Sequence, residues 1–384
     1  MKKIIYVVDA LVKPGGIERV LIDKMNYLSS NGFQIVVITY QQGEHPYVFP
    51  LSPSIKHIDT DTRFYTVYKH NRIRRILERI KLKKIYKQRL QTIVDAEKPD
   101  FIVITTYGIP TCGLVTQLKT NATLIAEAHT IREKTIEGNI HSKNKIRILL
   151  DKAHNEYQCR KIKKIDILVL LTQSSIPDWK KNAKKCVVIP NPVTFFPESI
   201  PTNRTYNKRI IAVGHLDPIK GFDRLISAFA LIAKSCIEWQ IHIFGNGDDQ
   251  QYLNDLIKEH GLLNSIFIHP ATSNIYEEYF KSSFLVMSSR FEGFGLVLTE
   301  AMSCGLPCVS FRCKYGPEDI IEDGKTGLLV KDGDIYELAD KILWMCQNED
   351  KRKKMGSYAR QSAEKYRIER IMPLWIDLFN NIDQ

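Results

Sequence analysis

The stretch Phe284-Leu285-Val286-Met287-Ser288-Ser289-Arg290-Phe291-Glu292-Gly293-Phe294-Gly295-Leu296-Val297-Leu298-Thr299-Glu300-Ala301-Met302 decides how the chain reads. Its first four residues are an apolar run that predicts a buried parallel strand. Two glycines then mark a turn, and from about Gly295 the pattern becomes helical. A strand, a glycine turn and a helix start together make an anion site, because free backbone N–H groups and the helix dipole converge on one point. Glu292 and Glu300 bracket that point with seven residues between them. Glu292 lies in the turn, and Glu300 lies about 7 Å further along the helix axis. Carboxylates repel phosphate, so here they more naturally accept hydrogen bonds from neutral hydroxyls. A ligand with phosphates in the middle and hydroxyl-rich rings on both sides, a nucleotide sugar, satisfies this arrangement. A plain strand-to-helix turn with surface glutamates is the alternative, and the rest of the chain has to decide between them.

The chain has 384 residues, enough for two domains that each bury a core. A hydrophobic fraction of 44% and a charged fraction of 26% are those of a globular protein. Residues 4–8 are apolar but too few for a signal peptide, and Asp9 follows them directly. No run approaches the ~18 apolar residues that would span a bilayer. The eight cysteines, among them Cys112, Cys304 and Cys308, show no framework spacing, so reduced cytosolic thiols are expected rather than zinc or disulfides.

The formal net charge of +12 is partly localised. Between Lys69 and Arg89 stand ten Lys or Arg residues, including Arg72, Arg75, Arg79 and Lys83, against a single acid, Glu78. Ile73, Ile76, Leu77 and Ile80 recur at helical spacing, which predicts a basic amphipathic helix. A solvated face packed on a core is the plain reading. The functional readings are an anionic membrane surface, a phosphate-bearing acceptor, or nucleic acid. Only Tyr68 and Tyr86 supply aromatic rings there, and no nucleic-acid motif accompanies them, so the membrane or acceptor reading is preferred.

Along the first half, apolar runs at 4–8, 35–39, 101–105, 124–128, 167–171 and 187–189 alternate with helical patterns, which implies βαβ units and a doubly wound parallel sheet. A Pro- and Asn-rich stretch at 189–207 reads as a linker. The pattern then restarts, with strands expected at 210–213, 240–244, 266–268, 284–287 and 307–310. Two such sheets leave a cleft, a favoured place for a ligand. Val12-Lys13-Pro14-Gly15-Gly16 follows the first strand and opens a helix. Asp59-Thr60-Asp61 and Asp332-Gly333-Asp334 read as solvated turns rather than metal pairs. No Ser-His-Asp, HExxH or P-loop pattern is present.

The segment Glu292–Glu300 resembles the glutamate–seven–glutamate motif of retaining glycosyltransferases of family four, which have the GT-B fold. The likeness extends, in order, over Gly15-Gly16, His129, Pro190-Asn191-Pro192, Lys220-Gly221, the block 292–330 and a terminal helical pattern at 366–379. It implies an α/β protein of two Rossmann-like doubly wound parallel-sheet domains facing across a cleft. Residues 1–195, completed by 366–384, would form the acceptor side, and residues 196–365 the nucleotide-sugar side.

By position in the family's motifs, Glu292 would hold sugar hydroxyls, Glu300 the ribose, and His129 the sugar from the opposite domain. Lys220 would neutralise the diphosphate with the amides of Gly16, Phe294, Gly295 and Leu296. Gly15 faces the same group, Asn246 lies near the nucleotide, and the backbone of the Pro270 loop faces the base. His215 stands where the family has Arg, and it lacks Arg's bidentate fork. The implied activity is transfer of a hexosyl group from a nucleotide-diphosphate sugar, with retention and without a metal or other cofactor. The acceptor would be a saccharide, polyprenyl-linked at the inner face of the plasma membrane. A nucleotide-sugar epimerase and a noncatalytic partner subunit of a glycosyltransferase complex are the alternatives.

Overall fold

The computed structural model describes residues 1–13, 15–106, 113–132, 162–201 and 208–381, together with Leu149, Ala153, Glu156, Tyr157, Cys159 and Arg160. Cys112 and residues 202–207 of the expected linker lie outside the described residues. The chain divides into two compact units. One holds Met1–Leu171, Ser175–Ile189 and Met372–Gln384, and the other holds Thr172–Ser174 and Pro190–Ile371.

The first unit is built on strands β1 (Lys3–Val7), β2 (Gln34–Thr39), β3 (Lys56–Asp59), β4 (Phe101–Thr105), β5 (Thr123–Ala128), β6 (Ile167–Leu170) and β7 (Lys185–Val188). They form one sheet in the order β3-β2-β1-β4-β5-β6-β7, with every neighbouring pair parallel. The central strands are nearly continuous apolar runs because both faces of a parallel sheet are covered. Helix α1 (Gly16–Ser30) turns Val20, Leu21, Met25 and Leu28 inward. The basic run folds as helix α2 (Arg72–Glu97), capped by the Asn71 side chain, which accepts a 3.0 Å bond from the Arg74 amide. Its two halves differ. Tyr86, Leu90 and Val94 are buried in the core, whereas Ile73, Ile76, Leu77 and Ile80 are 56–76% exposed.

The second unit holds β8 (Arg209–Val213), β9 (Gln240–Phe244), β10 (Ile266–His269), β11 (Phe284–Met287), β12 (Cys308–Phe311) and β13 (Gly327–Val330), in the order β10-β9-β8-β11-β12-β13, again all parallel. Helix α3 (Phe222–Ile232) buries Leu225, Ile226 and Phe229 against the sheet, and α4 (Leu296–Ser303) follows the glycine turn. Residues 190–201 pack onto this unit rather than forming a free tether: Asn191 and Val193 are buried, and the Val193 amide donates to the Tyr366 carbonyl at 2.8 Å. Helix α5 (Ile368–Asn380) supplies residues 372–380 to the first unit. There Phe379 packs on Phe101 and Phe33 with ring centroids 5.0 and 5.7 Å apart.

In both sheets the strand order reverses direction between the first strand and the fourth, β1/β4 and β8/β11. Ligands of doubly wound sheets bind outside the carboxyl ends of the strands at that reversal. The loops after β8 and β11 are therefore where the second unit's chemistry is expected.

Candidate active site

The loop after β8 carries His215, Asp217 and Lys220, and the loop after β11 carries Glu292. Several bonds join the two loops. The Arg290 amide donates to the Ile219 carbonyl at 2.8 Å, and Ser288 Oγ donates to the Lys220 carbonyl at 3.1 Å. The Arg290 guanidinium forks onto Asp223 at 2.7 and 2.8 Å and also donates to the Pro218 carbonyl. This clamp is why Gly221 is needed: its φ is +62°, and a Cβ there would lie 2.2 Å from the Ser288 carbonyl oxygen.

Within this frame Lys220 Nζ donates to Glu292 Oε1 at 2.7 Å. Ser289 Oγ donates to the same oxygen, also at 2.7 Å. Burial alone would lower the Lys220 ammonium, but the adjacent Glu292 carboxylate, with a smaller contribution from Asp217, raises it above its ordinary value. The lysine is held charged. The Glu292 backbone is fixed as well, since its amide donates to the Lys314 carbonyl at 2.6 Å and its carbonyl accepts from the Tyr315 amide at 2.7 Å.

The turn closes at Gly295, whose φ of +94° only glycine adopts without strain, and this residue caps α4. Phe294 is buried and meets Tyr366 edge-on at 5.7 Å. Leu296 is the first residue of α4 and Glu300 lies one turn on. The Tyr279 hydroxyl donates to Glu300 Oε2 at 3.0 Å, which aims the carboxylate. Asn246 and Pro270 follow β9 and β10, and the Ala271 amide donates to Asn246 Oδ1 at 3.1 Å, so the two loops are joined. His215 is 64% exposed, with Nδ1 3.5 Å from Asp217 Oδ2. Lys220, Glu292, Glu300, Asn246, Pro270 and His215 thus all sit on loops or helix starts at the carboxyl edge of one sheet.

In the first unit Gly15 caps α1 and Gly16 opens it, directly after the loop that leaves β1. His129 is the residue after β5, at the same edge of its sheet, and is 7% exposed. Its Nε2 lies 3.2 Å from Glu127 Oε2, and Lys24 of α1 bonds both oxygens of that carboxylate. The charge of Lys24, together with the hydrogen bond to His129, outweighs burial and holds Glu127 well below the usual carboxylate range. Of the basic-helix candidates, Arg79 is exposed, while Arg75 is half-buried over the Tyr68 ring and donates to the His70 carbonyl. Lys83 is half-buried, and the side chain of Arg72 lies outside the described residues. Asp59 ends β3 rather than lying in a solvated turn, and Arg63 binds both Asp59 and Asp61 at 2.9 Å.

Residues 197–362 match the family described as "Glycosyl transferases group 1", and residues 14–194 match "Glycosyltransferase Family 4". Each half of the chain thus matches a glycosyltransferase family. An uncharacterized glycosyltransferase of Haemophilus influenzae is 27% identical over 380 residues, covering 98% of this chain and 99% of that one. The amylovoran biosynthesis glycosyltransferase AmsD of Erwinia amylovora is 24% identical, over 99% of this chain and all of its own length. Among solved structures, S. aureus TarM in complex with fondaparinux, alpha-GlcNAc-glycerol and UDP superposes with a TM-score of 0.79 at 18% identity, covering 99% of this chain and 100% of that one. The GT-B architecture expected from the sequence is the one observed, and the enzyme is a glycosyltransferase related to those of bacterial surface polysaccharides.

Three features of this enzyme's site were not anticipated: Ser289 and Tyr279 as supports for the two glutamates, and the Lys24–Glu127 pair beside His129. Lys24 left a readable trace. It stands in the middle of the apolar stripe of α1, four residues from both Val20 and Leu28.

Proposed function

We propose that this glycosyltransferase moves a hexosyl group, with retention, from a nucleotide-diphosphate sugar to a saccharide acceptor presented at a membrane. The observation that carries the donor half is the Lys220–Glu292 pair, set between a glycine turn and a helix start at the strand reversal of the second sheet. Lys220 and the amides of Phe294, Gly295 and Leu296 would meet the charge that grows on the departing diphosphate, the part a metal plays elsewhere. Glu292 Oε1 is engaged by Lys220 and Ser289, so Oε2 would receive a sugar hydroxyl. Glu300, aimed by Tyr279, would take the ribose hydroxyls. Attack from the face the diphosphate leaves needs no protein nucleophile. The UDP in the TarM complex is in keeping with a nucleotide donor.

Incubating the enzyme with a panel of nucleotide sugars in EDTA tests this reading. One donor should raise the melting temperature and be cleaved, slowly with water and faster with acceptor. Loss of all turnover in EDTA, or a new sugar formed without acceptor, would overturn it, the second outcome in favour of an epimerase.

The membrane half rests on the exposed part of α2. Ile73, Ile76, Leu77 and Ile80 form one stripe, and Arg74, Arg79, Lys81 and Lys84 are exposed beside them. Apolar side chains between cations suit the boundary of an anionic bilayer, where each basic residue contributes about 1 kcal/mol near the surface. Ile76→Ser/Leu77→Ser with Lys81→Glu/Lys84→Glu should abolish co-sedimentation with anionic liposomes. Binding unchanged in that variant would remove the membrane from the proposal.

A further inference from the structure

The buried cluster of Lys24, Glu127 and His129 sets a polarity on the histidine that the donor-side reading does not use. Lys24 and Glu127 are each 1% exposed, and the lysine ammonium bonds both carboxylate oxygens. The Trp375 ring, from α5, lies 4.0 Å from the same ammonium, and the Tyr6 ring lies 5.6 Å away. A carboxylate pinned in this way offers His129 Nε2 only an acceptor, so Nε2 must carry the proton. In the neutral imidazole the other nitrogen is then a lone pair. His129 Nδ1 is buried and has no hydrogen-bond partner among the described residues. A buried acceptor left unpaired is costly, and a site that will receive a donor from a ligand is one place where that cost is met on binding.

We propose that Lys24 and Glu127 are positioning residues that lock His129 in the Nε2–H form, so that Nδ1 accepts a hydrogen bond from a hydroxyl of the transferred sugar. This rests on the reading of His129 as a sugar-contacting residue and adds the direction of the bond and the residues that enforce it. The carboxylate holds the ring, the lysine holds the carboxylate, and Trp375 covers the lysine. A hydroxyl that donates to Nδ1 must turn its own lone pairs elsewhere, so the device selects a sugar by hydroxyl orientation as well as by shape. A protonated ring, with Nδ1–H, would present the wrong polarity to the same hydroxyl.

The test is a tautomer measurement joined to kinetics, on full-length protein with 15N-labelled histidine. The His129 signals are assigned by their loss in His129→Ala. The wild type should show one neutral tautomer with the proton on Nε2. Exchanging the ion pair for apolar groups of similar volume, Lys24→Met with Glu127→Leu, removes the acceptor without stranding a charge. It should mix the tautomers and lower kcat/KM about tenfold, the worth of one hydrogen bond. Lys24→Met with Glu127→Gln, which keeps an acceptor oxygen near Nε2, should recover most of that loss. A wild-type proton on Nδ1, or unchanged kinetics in the Met/Leu variant while His129→Ala loses activity, would overturn the positioning role. Full activity in His129→Ala as well would instead overturn the reading of His129 as a sugar contact.

Discussion

Lys220→Ala is expected to lower kcat/KM for sugar transfer about 10²–10³-fold, the scale set by removing one preorganised group that stabilises developing negative charge. The lysine is ion-paired at 2.7 Å and held charged by Glu292, so its ammonium is in place before any diphosphate arrives. Truncation removes a cation from the leaving group and leaves the nearly buried Glu292 without its counter-charge. Both effects act in the same direction.

Glu292→Ala should give a loss of similar size for a different reason, since Lys220 stays but the sugar loses its acceptor. Because the two side chains touch, the double variant should fall well short of the product of the single losses. Lys220→Arg should not rescue. The lysine stem lies against Gly214, where even a Cβ would meet it at 3.0–3.4 Å, which leaves a guanidinium no room to lie flat. Steady-state kinetics with a fixed donor and acceptor reads all four proteins. Full activity in both Lys220→Ala and Glu292→Ala would remove these residues from the site.

What the sequence could and could not announce follows from how each element is buried. Strands at the centre of a parallel sheet are nearly continuous apolar runs, so β1, β2, β4, β5, β6, β8, β9 and β11 were visible as such. β3 was not, because Lys56-His57-Ile58-Asp59 is an edge strand whose residues are at most half-buried, and its polar ends read as a turn. β13, the Gly327-Leu328-Leu329-Val330 strand, was absorbed into the glycine-rich motif that precedes it. Lys185, the exposed first residue of β7, hid the start of that strand. The site behaves likewise. Local motifs name Lys220, Glu292 and Glu300, because glycines and a helix start lie next to them in the chain. Ser289 was in plain view but was one hydroxyl among many, and Tyr279 reaches Glu300 from another helix. The partnership of Lys24 with Glu127 spans 103 positions, a distance that no local pattern encodes. The exposed stripe of α2 is the converse case. Its periodicity announced an amphipathic helix, but only the packing of Tyr86, Leu90 and Val94 reveals that the apolar face of the first half is left uncovered.

Lys24→Ala should destabilise the first unit by about 3–5 kcal/mol, because it strands a carboxylate that is 1% exposed. Burial outweighs the pull of Glu127 and leaves the Lys24 ammonium below its ordinary value, and the Glu127 carboxylate offsets only part of that cost. The loss of the Trp375 contact adds to the cost, since a desolvated ammonium over an indole is itself worth up to about 2 kcal/mol. Hydrogen exchange at the β5 amides is the suitable measure, as it reports opening of this sheet without requiring the two units to unfold together. Lys24→Met with Glu127→Leu should restore most of the lost protection, since an apolar pair replaces an ionic one at little cost.

The pH dependence has a definite sign. Glu127 is depressed in the folded protein, so its contribution is complete at pH 7. It is lost as pH falls below the ordinary glutamate value of 4.5 toward the folded value of about 2. The apolar pair should lack that acid-side slope. A loss in Lys24→Ala below about 1 kcal/mol would mean that Glu127 takes up a proton or finds another cation. The buried ion pair would then not be what holds β5, α1 and α5 together.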